Sequence, residues 1–312
     1  MHNFRADAKT WCACVLGILL LLLSSTTKAQ SLDTLVVLYT GGAYGYLEAC
    51  PCSKENLGGL ARRFSVVNQT RATFGEKVVL VDAGNQFSAY PKSTAEAMLI
   101  TKLMSQMRYD ACNLAENDFT YGAHFTRTAF AELPTVSANL CDTAGVALTV
   151  PYRLVQAGEW RVGILGLLTE SALSSATETA QQEVKLIAPL NALSHALDSL
   201  SREEPDIIIL LLRTQDIDYE KFLAEKFPQL SVIVSNSEDL ISDTPKQFGQ
   251  CLALSAGHDG EYIGRLMLIF KGRQRVAVHN ERIALSPKIA SDKSAQEMIQ
   301  AFKHAQKRKP KP

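Results

Sequence analysis

Short apolar runs rich in β-branched residues recur along the chain from residue 35 onward. Five of them contain no charged side chain, which is typical of strands that are buried on both faces of a sheet. The five predicted strands are Leu35–Tyr39, Val78–Val81, Val162–Gly166, Ile207–Leu211 and Val232–Val234. The pattern therefore predicts a buried sheet at the centre of the protein.

Segments with helical periodicity lie between these strands. Their apolar residues recur every three to four positions, which places them on one face of an α-helix. The predicted helices are Leu60–Arg71, Thr94–Met107, Ala188–Ser201 and Tyr219–Phe227. Because strand and helix alternate, we predict an α/β layered architecture.

The C-terminal part of the chain has a different pattern. Residues 262–270 and 275–283 have the composition of two consecutive strands and predict an antiparallel pair. After Pro287 one helix is predicted from Asp292 to Gln306, followed by Lys-Arg-Lys-Pro-Lys-Pro. We interpret 286–312 as a helical basic tail with a solvated end, and a surface-binding arm is the alternative.

The first 29 residues have the order of charges and apolar residues that is typical of a signal peptide. Arg5 and Lys9 precede the apolar run Cys12–Leu23, which is followed by Ser-Ser-Thr-Thr-Lys-Ala. The run is shorter than the roughly 18 to 20 residues that span a bilayer, so we predict cleavage after Ala29 rather than a membrane anchor. The mature protein is expected to be exported, either periplasmic or secreted.

Composition restricts the possible partners. The chain has 312 residues, 46% of them hydrophobic, and 32 basic residues balance 32 acidic ones. This length and hydrophobic content predict one large globular domain. Because the net charge is zero, the sequence gives no reason to expect a nucleic-acid partner or a charged membrane surface.

Several motifs occur in an order that resembles one family. The first strand leads into Thr40-Gly-Gly-Ala-Tyr-Gly45 and then Gly58-Gly-Leu-Ala-Arg-Arg63, and the second ends in Asp82-Ala-Gly-Asn85. Farther along are Leu114-Ala-Glu-Asn-Asp-Phe-Thr-Tyr-Gly122 and Tyr262-Ile-Gly-Arg-Leu266. The order and spacing resemble the bacterial 5'-nucleotidase and UDP-sugar hydrolase family, whose catalytic domain is a calcineurin-like metallophosphoesterase.

The resemblance covers about residues 35 to 270 and implies a particular fold. It implies a layered metallophosphatase-type domain over 31–285, with two central mixed sheets flanked by helices. The family's second domain, which grips the nucleoside, normally follows through a linker helix. We do not expect that domain here, since the chain stops where the linker helix would be.

The resemblance also implies where a two-metal site would lie. Family members hold two divalent cations with oxygen and imidazole ligands, bridged by one carboxylate. Carried over residue by residue, the first Asp falls on Gly42, the first His on Tyr44 and the bridging Asp on Asn85. The family's Asn-His pair becomes Glu116-Asn117.

The family's later histidines also have no counterpart here. The matching stretches are Arg213-Thr-Gln-Asp216 and Ser235-Asn-Ser-Glu-Asp239. We therefore expect no dinuclear metal cofactor and a non-hydrolytic protein. The alternative is a phosphoester hydrolase with a rebuilt site, in which Glu116, Asp118 and Asp239 hold one Mg²⁺ or Ca²⁺.

Cysteines offer a third possible chemistry. Without Cys12 and Cys14 of the signal, five remain, and Cys50-Pro-Cys52 lies between the first strand and Gly58. This pair resembles a bacterial branch of the family with a Cys-x-Cys segment, and it predicts a redox-active or soft-metal thiol site. The alternative is structural disulfides from Cys50 or Cys52 to Cys112, Cys141 or Cys251.

Overall fold

A computed structural model of the chain describes residues 31–49, 55–90, 92–237 and 240–308. The predicted signal peptide over 1–29, the Cys50–Cys52 segment and Asp239 lie outside these residues, as do the last four residues of the basic tail. Within the described part of the chain, no helix is long and apolar enough to cross a membrane.

The strands are numbered β1 to β14 along the chain. They are β1 (Leu32–Thr40), β2 (Val78–Asp82), β3 (Ala111–Asn113), β4 (Thr135–Val136), β5 (Leu140–Asp142), β6 (Tyr152–Ala157), β7 (Trp160–Leu168), β8 (Val184–Leu186), β9 (Ile207–Arg213), β10 (Val232–Ser235), β11 (Lys246–Phe248), β12 (Cys251–Leu254), β13 (Tyr262–Lys271) and β14 (Gln274–Ala284).

The helices are numbered α1 to α8. They are α1 (Leu60–Phe74), α2 (Thr94–Met107), α3 (Ala123–Ala129), α4 (Glu170–Ser174), α5 (Glu178–Glu183), α6 (Pro189–Ser201), α7 (Tyr219–Lys226) and α8 (Lys293–Arg308). Short 3₁₀ turns cover Gly75–Lys77 and Glu116–Phe119.

Two mixed sheets form the centre of the protein. The first sheet has the order β14-β13-β1-β2-β3-β4, and the second has the order β11-β12-β10-β9-β7-β6. Strands β1 to β4 are parallel, and so are β7, β9, β10 and β12, whereas β13 runs antiparallel to β1. A small third sheet pairs β5 with β8. The prediction of two central mixed sheets flanked by helices is confirmed.

Alternation of side chains along β1 shows how the layers are built. Leu35 and Val37 lie in the core between the two sheets, whereas Val36 and Leu38 lie in the outer core under α1, α2 and α8. The other face of the second sheet packs against α6 and α7 in a third core. Both faces of the central strands of each sheet are therefore covered, which explains why these strands are apolar without interruption.

Tyr39 joins three strands of the first sheet. It is paired with Gly264 of β13, and its ring lies where a side chain at that position would be. Its hydroxyl donates to Asn280 Oδ1 of β14 at 2.9 Å. The ring thus covers the surface that the glycine leaves open and fixes the pairing of β1 with β13.

The predicted C-terminal helix is present as α8 and belongs to the packed domain. Ala295 and Ile299 are buried in the outer core of the first sheet. The backbone N–H of Asp292 donates to the carbonyl of Ala61 at 2.9 Å, and Lys303 pairs with Glu48 at 2.8 Å. The described part of the predicted tail is therefore mostly docked helix.

Candidate functional site

The candidate site lies at the carboxyl ends of the parallel strands of both sheets. β1, β2 and β3 of the first sheet end at the same edge as β7 and β9 of the second. Asn113 at the end of β3 donates to the carbonyl of Leu167 in β7 at 3.2 Å, so the two sheets meet there. We call this edge, where open α/β sheets bind their ligands, the carboxyl-edge site.

The loop after β1 brings Gly42 and Tyr44 to this edge. The N–H of Gly42 donates to the carbonyl of Gly84 at 2.8 Å, and the N–H of Tyr44 donates to that of Asn85 at 3.0 Å. Gly42 adopts φ +60°, and a Cβ there would lie 3.3 Å from the Tyr44 ring. Burial raises the pKa of the Tyr44 phenol. Neither residue supplies a carboxylate or an imidazole.

Asp82 holds the base of the site together. It is fully buried, and its carboxylate accepts hydrogen bonds from Thr40 Oγ1 at 2.5 Å and from the N–H of Gly84 at 2.7 Å. Burial raises the pKa of this carboxyl group. Asp82 thus accepts a hydrogen bond from the backbone of the loop after β2 and connects that loop to the end of β1.

Asn85 occupies the position that the resemblance assigns to the bridging carboxylate. It is completely buried and adopts φ +60°. Its Nδ2 donates to Glu116 Oε1 at 2.9 Å, and its Oδ1 accepts from the N–H of Asn117 at 3.0 Å. Both ends of the amide are therefore used in fixing the turn after β3.

The carboxylate of Asp118 connects the loops after β2 and β3 through hydrogen bonds. Its Oδ1 accepts from the N–H groups of Gln86 and Phe87 at 2.7 and 3.2 Å. Its Oδ2 accepts from those of Asn85 and Ala115 at 3.0 and 2.9 Å. Burial raises the pKa of this carboxyl group to about 7, against the lowering effect of the backbone donors. Both oxygens are thus occupied by backbone contacts.

Glu116 forms a buried ion pair with Arg213 of β9. The side chain of Glu116 is 2% exposed and that of Arg213 is 11% exposed. Arg213 Nε donates to both carboxylate oxygens at 2.8 and 3.0 Å, and Nη2 donates to Oε1 at 2.6 Å. The remaining Nη1 donates to the carbonyl of Thr214 at 2.9 Å.

From the sequence, Arg213 is notable only as the first residue of a stretch without histidine. A sign of its role was available, because a charged residue at the end of an otherwise apolar buried strand needs a partner of opposite charge. The partner itself was not evident, since Glu116 lies 97 residues away in the other sheet.

The structure brings five of the sequence-predicted residues together and leaves others apart. Gly42, Tyr44, Asn85, Glu116 and Asn117 meet through the contacts above. Asp216 is exposed, and Asp239 lies outside the described residues. Among the residues that the structure describes, no group of three or more His, Cys, Asp or Glu is arranged to hold a metal ion.

The cysteines of the described ranges do not form disulfides. Cys112, Cys141 and Cys251 are buried free thiols. Burial raises the pKa of Cys112 well above its ordinary value and that of Cys251 to about 12. The alternative in which these three cysteines staple the Cys50–Cys52 loop therefore has no counterpart in the structure.

Comparison with known proteins agrees with the resemblance. No protein-family model matches the chain. The snake venom 5'-nucleotidase of Naja atra is 28% identical over 155 residues, which are 44% of this chain and 28% of that protein. The chain spans between 26% and 32% of the length of the curated relatives that it matches.

Solved structures share the fold. The 5'-nucleotidase precursor of Thermus thermophilus superposes with a TM-score of 0.73 at 22% identity, covering 88% of this chain and 59% of that one. A calcineurin-like phosphoesterase of Bacillus subtilis superposes with a TM-score of 0.72 at 16% identity, covering 88% of this chain and 98% of that one. The chain therefore has the metallophosphatase fold of the 5'-nucleotidase type.

Proposed function

We propose that this chain is an exported protein of the 5'-nucleotidase-like metallophosphatase fold that binds a ligand or partner without hydrolysing phosphate esters. One observation carries the proposal: Glu116, the carboxylate at the ligand positions of the described residues, is neutralised by Arg213 at 2.6 Å. A dinuclear centre needs several anionic or imidazole ligands around its two cations. The carboxyl-edge site instead offers glycine, phenol and amide groups.

The donor chemistry at this edge does not fit two divalent cations. Gly42 has no side chain, and the amides of Asn85 and Asn117 carry no charge. An amide at position 85 also turns its N–H toward Glu116, so that the bridging position presents a donor where a cation needs an acceptor. Two dications would bring four positive charges to ligand positions where the one carboxylate, Glu116, is already paired with Arg213.

The alternative of a rebuilt metal site requires carboxylate oxygens that are free to coordinate. Both oxygens of Asp118 accept backbone hydrogen bonds, and both oxygens of Glu116 accept from Arg213. A metal ion would have to replace these contacts, which are short and buried. The occupied carboxylate oxygens therefore favour a non-hydrolytic binding protein over a hydrolase with a rebuilt metal site.

Metal analysis and phosphatase assays test the proposal together. The mature protein is purified without chelator, and its Mn, Fe and Zn contents are measured. Hydrolysis of p-nitrophenyl phosphate and AMP is then assayed with added Mn²⁺, Mg²⁺, Zn²⁺ or Ca²⁺, with an active 5'-nucleotidase as positive control. We expect substoichiometric metal and no hydrolysis above a buffer blank. Two equivalents of metal, or metal-dependent turnover that Glu116→Gln abolishes, would refute the proposal.

Export is the second part of the proposal. The N-terminal sequence supports it, and relatives such as the snake venom 5'-nucleotidase are named as venom proteins. Expression of the full chain in a bacterial host, followed by mass spectrometry of the periplasmic fraction, should show a mature N-terminus at Gln30. A chain that is retained in the membrane fraction with Met1 intact would contradict this part.

Thiol exchange or soft-metal binding through Cys50 and Cys52 is a second candidate function. The observation that favours it is the burial of Cys112, Cys141 and Cys251 as free thiols, which leaves Cys50 and Cys52 to pair with each other or to react. A Cys50→Ser/Cys52→Ser variant should lose dithiol exchange with a glutathione couple while its melting temperature stays unchanged. A large loss of stability would instead assign the pair a structural role.

A further inference from the structure

The Arg213–Glu116 pair connects the two halves of the protein at one point. Arg213 is the last residue of β9 in the second sheet, and Glu116 begins the turn after β3 in the first. Asn85, at the end of the loop after β2, donates to the same carboxylate oxygen as Arg213 Nη2. Three loops that meet at the carboxyl-edge site are therefore held by one carboxylate and one cationic side chain.

A buried carboxylate requires a compensating positive charge. Moving an ionised carboxylate out of water costs several kcal/mol even after relaxation of the protein, unless a partner and further hydrogen bonds compensate for it. Here the guanidinium provides three N–H contacts to Glu116, and its fourth contact, to the carbonyl of Thr214, satisfies Nη1. The charge of Glu116 is thus balanced entirely from within the chain.

The resemblance places Glu116 at a ligand position of the fold and Arg213 directly before one. Glu116 falls on the Asn of the family's Asn-His pair, and Arg213 starts the stretch that matches Ser-His-Leu-Gly. The resemblance implies that these two loops face bound metal in metallophosphatases. In this chain the same loops face each other through a guanidinium and a carboxylate at 2.6 Å.

We infer that the guanidinium of Arg213 is a built-in substitute for the cations of this fold, holding the loops after β2, β3 and β9 in the arrangement that metal ions hold in metallophosphatases. The inference depends on the proposed function in one respect, namely that no resident metal occupies the site. It goes beyond that proposal because it assigns Arg213 a specific positioning role.

Removal of the guanidinium should create a cation site, and this is the test. In Arg213→Ala, Glu116 Oε2 and the carbonyl of Thr214 lose the guanidinium and become free oxygen ligands of the kind that hard cations bind, while Oε1 keeps the hydrogen bond from Asn85. The melting temperature of the variant should fall by roughly 10 °C, as expected for a broken buried pair. Added Ca²⁺ or Mn²⁺ should recover part of this loss, because binding only to the folded state stabilises it.

The wild type and a double variant serve as matched controls. Neither Ca²⁺ nor Mn²⁺ should raise the melting temperature of the wild type, and neither should raise that of Arg213→Ala/Glu116→Gln, which lacks the carboxylate. The inference is refuted by an Arg213→Ala variant that melts like the wild type, by one that does not respond to cations, or by an equal response in the double variant. Bound metal in the wild type would refute the proposed function, and the inference with it, whereas the three outcomes above refute the inference alone.

A second variant pair covers the case in which Arg213→Ala does not fold. Arg213→Gln/Glu116→Gln removes both buried charges at once and keeps a polar amide at each position. If charge compensation is the role of Arg213, this neutral pair should fold and should melt well above Arg213→Gln alone. If the neutral pair is as unstable as Arg213→Gln, the guanidinium acts through packing, and the inference fails.

Discussion

The amide nitrogen of Asn85 donates to Glu116 Oε1 at 2.9 Å, so a hydrogen-bond donor lies at the position that the resemblance assigns to a bridging ligand. A carboxylate at position 85 could not make this contact. The hydrogen bonds between the loops of the carboxyl-edge site therefore use both ends of an amide at position 85, where the resemblance implies an aspartate.

Asn85→Asp is predicted to destabilise the protein although it restores the family's residue. The new carboxylate would face Glu116 without a donor, and two buried carboxylates in contact repel each other. We expect a loss of about 2 kcal/mol or more in the free energy of unfolding at neutral pH, measured by urea denaturation.

The loss should depend on pH in a defined direction. The neighbouring charge and burial raise the folded-state pKa of the introduced Asp, so stability is lost as pH rises through that pKa and regained toward acid. Asn56→Asp is the matched control, because Asn56 also has positive φ but is exposed. Equal stability of Asn85→Asp and Asn56→Asp would contradict the prediction.

Asp118→Ala should be among the most damaging single substitutions in the site. It leaves four buried backbone N–H groups without acceptors, and each such group costs roughly 1–3 kcal/mol. Circular dichroism during thermal unfolding should show a large decrease in melting temperature or no cooperative transition. The control is Asp216→Asn at an exposed loop position. Its free energy of unfolding should lie within about 0.5 kcal/mol of that of the wild type.

Tyr39 and Tyr109 should titrate later than the other tyrosines, including Tyr44, whose pKa burial also raises. Burial raises the pKa of Tyr39 and of Tyr109 to about 12 from an ordinary value of 10.0. Since the folded-state pKa lies above the unfolded one, each phenol contributes stability that is present below pH 10 and lost as pH rises through 12. Ultraviolet titration of tyrosinate should therefore show two phenols that ionise only as the protein unfolds.

A variant identifies these late phenols. Tyr109→Phe should remove one of them from the titration while leaving the other in place. Two remaining late phenols in this variant, or ordinary titration of all tyrosines in the folded wild type, would contradict the assignment.

Cys112, Cys141 and Cys251 should be silent toward thiol reagents in the folded protein. All three are buried, and burial favours the neutral thiol over the reactive thiolate. A colorimetric thiol count should therefore rise by three between native and denaturing conditions. In Cys50→Ser/Cys52→Ser the native count should be zero, and a native signal from this variant would contradict the burial of the three thiols.

The sequence predicted the strands and helices that contain long apolar patterns. The helix Thr94–Met107 has the predicted bounds, and the predicted strand Leu35–Tyr39 is present as Leu32–Thr40. Several short strands, such as Thr135–Val136 and Cys251–Leu254, were not predicted. They are too short to show a period of their own, and they are strands because their neighbours supply hydrogen bonds.

The sequence predicted which residues lie near one another at the candidate site, but not which side chains contact each other. Motif order placed Asn85 and Glu116 at one edge of the sheet, since parallel strands end together. The ion pair was not predictable, because the register between the two sheets decides which side chain of β9 faces Glu116. That register depends on the packing of the core between the sheets, which no local pattern encodes.

The pairing of β1 with β13 has a consequence for the order in which the strands of the first sheet can pair during synthesis. β1 is an interior strand of the first sheet, yet one of its two neighbours is formed by residues 262–271. A polypeptide emerging from the ribosome thus carries an open strand edge until this late segment has been synthesised. Long-range pairing of this kind slows folding and leaves the edge available to other chains. The nascent chain therefore depends on reaching its C-terminal quarter before its first strand is protected.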